Sequence, residues 1–121
     1  MENRLLIADG DPELSDLYQR FFSRNGYEVE TAGGGLECLD KLRSRQHKYV
    51  ILDLGIPWGG GDGVLACLRE EFPLRSHPHV VVTSNPYFEA GPEQDQHPVV
   101  GRFQKPCRLT ALLDCIRSVA G

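Results

Sequence analysis

The segment that decides the fold is residues 49–53, which read Tyr49-Val50-Ile51-Leu52-Asp53. Every position before the terminal acid is apolar, and this pattern is typical of a strand buried on both faces of a parallel sheet. Three other apolar runs also lead into a single polar or charged residue. They are Leu5-Leu6-Ile7-Ala8 before Asp9, Val80-Val81-Val82 before Thr83, and Val99-Val100 upstream of Lys105.

Helical patterns lie between these strands, so strand and helix alternate along the chain. Asp11-Pro12-Glu13 predicts a helix start, because Asp caps helix N-termini and Pro is tolerated in the first turn. Residues 27–31 alternate as a further strand, and the last helix is expected from about Arg108. The alternation predicts an α/β three-layer sandwich with a five-stranded parallel sheet in the flavodoxin-like order 2-1-3-4-5.

Two segments depart from simple alternation. A glycine-rich loop over residues 59–63 is expected to lead into the third helix. Segment 84–98 contains three prolines and a glycine and has no apolar period. Because proline inside a helix costs about 3 kcal/mol, we expect the fourth helix to be short or missing, although the crossover between parallel strands has to pass there.

Composition limits the class of protein. The 121 residues suit a single domain over 1–121, and 40% hydrophobic with 25% charged residues is ordinary for a globular chain. A net charge of -4 argues against direct nucleic-acid binding. With no apolar stretch near the ~20 residues of a membrane span and no leader pattern, we expect a cytoplasmic protein without membrane contact. The four cysteines lack CxxC spacing, which favours reduced, mostly buried thiols.

The polar residues at the strand ends suggest a chemistry. The carboxyl ends of parallel strands share one edge, where ligands bind in open α/β sheets. Asp9 and Asp53 follow strands 1 and 3 and should face each other across the switch point. Two carboxylates suit Mg²⁺, and an Asp can accept a phosphoryl group as a nucleophile. Thr83 would add a hydroxyl and Lys105 a positive charge for the phosphoryl oxygens.

Each of these residues has a simpler explanation when it is taken alone. A strand-terminal Asp often caps a helix, Thr favours strands, and a lone Lys is usually solvated. Their joint placement at four strand ends is what favours a site. The glycine runs lack the order of a phosphate-binding P-loop. The histidines at positions 77, 79 and 97 lack a second ligand pair, so surface histidines are the preferred interpretation.

Four motifs resemble the receiver (CheY-like) domain of two-component response regulators, in matching order over essentially the whole chain. They are Leu5-Leu6-Ile7-Ala8-Asp9, Ile51-Leu52-Asp53-Leu54-Gly55-Ile56-Pro57, Val82-Thr83-Ser84 and Gln104-Lys105-Pro106. The resemblance implies a phosphoacceptor at Asp53, supplied by a histidine kinase or phosphotransfer protein. It implies a Mg²⁺ pocket with Asp9 and the Gly55 carbonyl, Thr83 as the switch hydroxyl, Lys105 as the phosphate-pairing cation, and a cis Lys105–Pro106 bond.

The chain departs from the family pattern at several positions. Gly10 stands where the family has a second acid, which is normally a direct metal ligand. Asp11 is the nearest substitute as a ligand, but it competes with its role as a helix cap. The loop after Pro57 is about two residues longer than usual. Arg102 replaces the switch aromatic, and strand alternation should turn Phe103 to the opposite face.

Three functions stay open at this point. The first is a phosphoacceptor switch that is not itself an enzyme and that changes its affinity for an unknown output protein or domain. The second is a degenerate receiver that acts as an interaction module without phosphorylation. The third is a flavodoxin-like small-molecule binder that shares only the architecture. The kinase, the output partner and a homodimer all stay open, as does membership of a longer protein.

Overall fold

A computed structural model of the chain describes residues 3–73, 77–88, 91 and 96–119. Five parallel strands form one sheet in the order β2-β1-β3-β4-β5. The predicted order 2-1-3-4-5 is therefore confirmed. The strands are β1 (Arg4–Ala8), β2 (Glu28–Ala32), β3 (Tyr49–Asp53), β4 (His79–Ser84) and β5 (Val99–Gln104).

Four helices pack on the sheet within the described ranges. They are α1 (Pro12–Arg24), α2 (Gly35–Ser44), α3 (Gly60–Glu71) and α4 (Leu109–Ser118). Helix α1 begins as predicted, because the side chain of Asp11 accepts hydrogen bonds from the backbone N–H of Glu13 and Leu14 at 3.0 and 3.3 Å. None of the described helices is both long and apolar enough to traverse a lipid bilayer.

The expectation of a loop over residues 59–63 is wrong for most of its length, because α3 already begins at Gly60. The glycines there serve close packing as well as turning. A Cβ on Gly61 would lie 2.7 Å from the Cα of Leu54. Helix α3 can therefore start against the end of β3 only with glycine at this position.

Two apolar cores lie on the two faces of the sheet, as a three-layer sandwich requires. Alternate residues of each central strand face opposite cores. One core joins Leu6, Val50 and Leu52 to side chains of α2 and α3 such as Leu39 and Leu65. The other joins strand residues to α1 and α4, and its buried members include Leu5, Ile7, Ile51, Tyr18, Phe22 and Leu112.

The link between β4 and β5 contains no helix in its described residues, 85–88, 91 and 96–98. The sequence predicted that the helix between β4 and β5 would be short or missing, and this is confirmed for the described residues. Residues 89–90 and 92–95 lie outside the described part. Phe88 contributes apolar contacts on the face of the sheet where a helix in this link would pack, because it lies against the α2–α3 core. Val80 and Val82 of β4 are consequently buried on that face.

Removal of a leucine side chain from the α1–α4 core should cost far more than removal of an exposed one. Leu112 is fully buried, whereas Leu36 on α2 is 69% exposed. We expect Leu112→Ala to lower the free energy of unfolding by about 2–5 kcal/mol and Leu36→Ala to change it by less than about 0.5 kcal/mol. Urea unfolding of both variants checks this, and equal losses would contradict the assigned core.

Candidate functional site

The four predicted strand-end residues lie at one edge of the sheet and are held there by backbone hydrogen bonds. Asp53 and Thr83 are neighbours in the register of β3 and β4. The N–H of Leu54 donates to the carbonyl of Thr83 at 2.8 Å, and the N–H of Lys105 donates to that of Ser84 at 2.7 Å. The parallel ladder therefore continues past the strand ends and fixes where these side chains start.

Lys105 joins the two acids. Its Nζ lies 2.7 Å from Oδ2 of Asp9 and 3.5 Å from Oδ1 of Asp53. Asp9 is buried, and the side chain of Lys105 is only 21% exposed. The two aspartates, 44 positions apart in the sequence, thus share one ammonium in a partly buried pocket. This is the juxtaposition that the sheet order predicted.

Asp9 is held by the start of α1. The N–H of Asp11 donates to Oδ1 of Asp9 at 2.9 Å, and the hydroxyl of Ser15 donates to its main-chain carbonyl at 3.3 Å. Each carboxylate oxygen of Asp9 therefore already has a partner, since Lys105 takes the other one. The carboxylate is fixed in orientation before any ligand binds.

Asp53 lies in an environment that raises its pKa above the ordinary value. Burial is the largest cause, and the charge of Asp9 acts in the same direction. The ammonium of Lys105 and a hydrogen bond from the N–H of Gly55 to Oδ1, at 3.2 Å, oppose them. The balance leaves a carboxylate that is poorly solvated and only partly neutralised, which is a state in which a further cation would be attracted.

Thr83 brings a polar atom into the site without a partner. The residue is fully buried, and its Oγ1 has no hydrogen-bond partner among the described residues. An unpaired buried hydroxyl costs about 1–3 kcal/mol, so native proteins rarely retain one without a use. Thr83 pairs with Asp53 in the register of β3 and β4, so its hydroxyl lies at the end of β4 next to this acid.

The donor set fits a hard cation that needs few protein ligands. No group of three or more His, Cys, Asp or Glu residues is arranged to hold a metal ion in the part of the chain that is described. Mg²⁺, however, commonly takes one or two carboxylates and completes its shell with water and phosphate oxygens. Asp9 and Asp53 meet that requirement.

Asp11 and Gly55 stay predicted ligands. Asp11 is exposed, and its Oδ1 is used by the helix cap described above. Its other oxygen would have to serve a metal. Gly55 follows Asp53 at the mouth of the pocket, where it is exposed and donates its N–H to the acid. Its carbonyl is the atom that the resemblance assigns to the cation.

Strand β5 contains Arg102 and Phe103, where the sequence was expected to depart from the family pattern. Phe103 packs into the α1–α4 core, and Arg102 is exposed on the other side of β5. The predicted opposite orientation of Phe103 is thus confirmed. Lys105–Pro106 is a cis bond, as the resemblance implied, and His97–Pro98 is a second one.

Other polar residues form contacts that the sequence did not indicate. The rings of His77 and His97 stack with their centroids 5.3 Å apart, although 20 positions separate them. Only the pairing of β4 with β5 could have predicted this contact. All four cysteines are free thiols, but only Cys38 is fully buried, where burial raises its pKa to about 12. Cys67, Cys107 and Cys115 are partly buried, in keeping with the expectation of mostly buried thiols.

Comparisons with known proteins show what the chain is similar to. A family model described as the response regulator receiver domain matches residues 5–117. The sporulation initiation phosphotransferase F of Bacillus subtilis is 24% identical over 117 residues, which cover 97% of this chain and 93% of that protein. The transcriptional regulatory protein CpxR homolog of Haemophilus influenzae is 38% identical over 68 residues, or 56% of this chain and 30% of that regulator. The chain thus covers less than a third of that regulator's length.

Solved structures share the fold over nearly the whole chain. A CheY-like receiver domain protein from Methanospirillum hungatei superposes with a TM-score of 0.85 at 21% identity, covering 98% of this chain and 93% of that one. The response regulator TrrA from Thermotoga maritima, in complex with Mg²⁺ and beryllium fluoride, gives 0.83 at 21% identity, covering 96% and 97%.

Replacement of the unpaired hydroxyl should stabilise the protein. We expect Thr83→Val to raise the free energy of unfolding by about 1 kcal/mol, because a methyl group replaces a buried donor without a partner. The matched control is Thr110→Val on the exposed surface of α4, which should change stability by less than about 0.5 kcal/mol. Urea unfolding measures both, and a loss of stability in Thr83→Val would mean that its hydroxyl is hydrogen-bonded in the folded protein.

Asp53→Asn should stabilise the protein in a pH-dependent way. Because the pKa of Asp53 is raised on folding, its ionised form is disfavoured in the folded state. The stability that this group contributes is present below its unfolded pKa and is lost as pH rises through its folded pKa. The gain in Asp53→Asn should therefore grow as pH rises from about 4, the ordinary pKa of an aspartate, through the raised pKa of the folded state, and it should then level off in a series of unfolding measurements. Asp114→Asn, at an exposed position of α4, is the matched control.

Proposed function

The chain belongs to the response regulator receiver domain family of two-component signalling, and on that premise we propose that Asp53 is its phosphoacceptor. The phosphoryl donor would be a histidine kinase or a phosphotransfer protein. The observation that carries the proposal is the ammonium of Lys105 between two carboxylates, at 2.7 and 3.5 Å. The family match and the acids at this sheet edge favour this function over a flavodoxin-like small-molecule binder.

The proposed reaction moves a phosphoryl group from nitrogen to oxygen. A carboxylate oxygen of Asp53 attacks phosphorus, an O–P bond forms, and the P–N bond of the donor phosphohistidine breaks with its electron pair left on the imidazole. The product is an acyl phosphate on Asp53. Because Asp53 is partly desolvated, its carboxylate is a better nucleophile than a fully hydrated one.

Two side chains of the chain would stabilise the transferred group. Lys105 lies 3.5 Å from Asp53 and would pair with a phosphoryl oxygen, as fixed cations do in phosphoryl transfer. The hydroxyl of Thr83 would donate a hydrogen bond to another, which accounts for a buried donor that has no partner in the unmodified protein. Phosphorylation would thus satisfy a group that folding leaves unpaired.

The carboxylates of Asp9 and Asp53 and the carbonyl of Gly55 would hold Mg²⁺, with Asp11 as a further proposed ligand. The cation supplies charge neutralisation for the phosphoryl oxygens. The Mg²⁺ and beryllium fluoride complex of the Thermotoga maritima relative supports this choice of cation. The change at Asp53 would then be detected in the cytoplasm by an output protein, an attached domain or a second copy of the chain.

Three observations favour a second function, an interaction module that works without phosphorylation. Gly10 supplies no carboxylate, so the pocket contains one acid fewer than the family pattern. The link between β4 and β5 also lacks a helix in its described residues, and Arg102 replaces the switch aromatic. Such a module would keep the fold and the surface while losing the chemistry.

Incubation with acetyl phosphate and Mg²⁺ separates the two functions. Intact-mass spectrometry should show one phosphoryl adduct on the wild type, none on Asp53→Asn, and a wild-type level on Asp16→Asn, an exposed acid on α1. Chelation of Mg²⁺ should reduce the adduct by about tenfold or more, since charge neutralisation is worth several kcal/mol. An unmodified wild type, or an adduct that persists in Asp53→Asn, would contradict the proposal and favour the interaction module.

A further inference from the structure

All four histidines of the chain lie at the edge of the sheet opposite to Asp53. His47 comes just before β3, His77 and His79 lie at the start of β4, and His97 comes just before β5. Because the sheet is parallel, the amino ends of its strands meet at one edge, just as the carboxyl ends meet at the other. The amino edge therefore collects side chains that can gain positive charge near about pH 6.5, the ordinary pKa of histidine.

Backbone hydrogen bonds bring three basic residues together at this edge. The N–H of His79 donates to the carbonyl of Lys48 at 2.8 Å, and the N–H of Val80 donates to the carbonyl of Pro98 at 3.0 Å. Lys48, His79 and the residue before Pro98, which is His97, therefore lie at the starts of three adjacent strands. The parallel ladder thus sets where these three side chains begin.

Aromatic rings connect the side chains at this edge. The Nζ of Lys48 lies 5.6 Å from the centroid of the Tyr49 ring, and the centroid of the His79 ring lies 6.0 Å from that of Tyr49. The ring of His97 is stacked on that of His77, as described above. We refer to Lys48, His77, His79 and His97 as the basic cluster.

No described carboxylate balances the basic cluster. Among residues 3–73, 77–88, 91 and 96–119, none of its four members forms an ion pair with an acid. Burial lowers the pKa of His79, and the charges of Lys48 and His97 lower it further. The charged form of this imidazole is therefore disfavoured, and an anion beside it would favour that form.

The neighbouring helices add further positive charge. Arg69 of α3 donates from its Nε to the carbonyl of His97 at 2.9 Å. Burial raises the pKa of Tyr27, and the charges of Arg117 of α4 and of Lys48 oppose that rise. Helices α3 and α4 thus each add a guanidinium group beside the basic cluster.

His77 contributes a buried nitrogen that lacks a partner. Its Nε2 lies 2.8 Å from the carbonyl oxygen of Phe72, so that nitrogen carries a proton and donates it. Its Nδ1 is buried and has no hydrogen-bond partner among the described residues. An unpaired buried polar atom is costly, and native proteins rarely retain one without a use. Once the ring is protonated, Nδ1 becomes a donor, and an oxyanion at the cluster would supply the missing acceptor.

We propose that the basic cluster is a second ligand site, which binds a small tetrahedral oxyanion such as sulfate or phosphate and binds it more tightly as the pH falls. A lysine ammonium is charged at neutral pH, and each protonated imidazole adds an N–H donor and a positive charge. The oxyanion would offset the repulsion that these charges exert on one another. The site lies at the opposite edge of the sheet from Asp53, so this inference goes beyond the proposed function and does not rest on it.

A sulfate titration followed by the NMR signals of the histidine rings tests the site. Sulfate keeps two negative charges between about pH 6 and about pH 8, so a change in its affinity over this range reports on the protein. In magnesium-free buffer of constant ionic strength, we expect saturable shifts of the His79 and His97 rings, with a Kd at least about tenfold lower at about pH 6 than at about pH 8. Shifts that do not saturate, or an equal Kd at the two pH values, would overturn the inference.

Matched substitutions locate the bound ion. Lys48→Met and His79→Gln should each weaken sulfate binding at about pH 6 by at least about fivefold, because each removes a charge from the cluster. Arg20→Gln removes an exposed charge from α1 and should leave the Kd unchanged. Asp53→Asn should also bind sulfate as the wild type does, which separates this site from the phosphoacceptor pocket. If Arg20→Gln weakens binding as much as Lys48→Met, the response is to net charge alone and the inference fails.

Thermal unfolding supplies a second measurement that does not depend on the NMR signals. Sulfate also stabilises proteins through its exclusion from their surfaces, so the wild type is compared with Lys48→Met. At about pH 6 sulfate should raise the melting temperature of the wild type by at least about 2 °C more than that of Lys48→Met, and at about pH 8 the two rises should agree within about 0.5 °C. Equal rises in the two proteins at about pH 6 would contradict a bound ion at the cluster.

Discussion

The ammonium of Lys105 between Asp9 and Asp53 is the interaction on which the rest of the site depends. Two carboxylates that are largely removed from water repel each other, and each loses hydration that the fold has to replace. A cation within 2.7 Å of one and 3.5 Å of the other offsets both costs. The backbone hydrogen bond from Lys105 to Ser84 positions this ammonium at the end of β5. The end of β5 therefore supplies the charge that lets the folded protein keep two acids at the ends of β1 and β3.

Most of the fold could be predicted because its three central strands, β1, β3 and β4, are buried on both faces. A run such as Tyr49 to Leu52 has no polar position that would suit solvent, so its place in the centre of a parallel sheet follows from the sequence. The sheet order then brings Asp9 and Lys105 together although 96 positions separate them. Charge and topology together are enough to predict that these side chains lie together.

The remaining features depend on distances that no residue pattern encodes. The glycines near residue 60 could be recognised as turn formers, but the start of α3 depends on how closely Gly61 approaches Leu54. The unpaired hydroxyl of Thr83 could not be predicted either, because a missing partner is a property of the whole neighbourhood.

The backbone contact between the Pro57–Trp58 segment and Gly35 joins the loop after Asp53 to helix α2. The N–H of Gly35 donates to the carbonyl of Pro57 at 2.8 Å, and Gly35 closely approaches the carbonyl of Trp58. Trp58 and Leu36 belong to the two joined segments, and both side chains are largely exposed. The stretch of backbone that begins at the acid therefore presents two large apolar side chains at the surface.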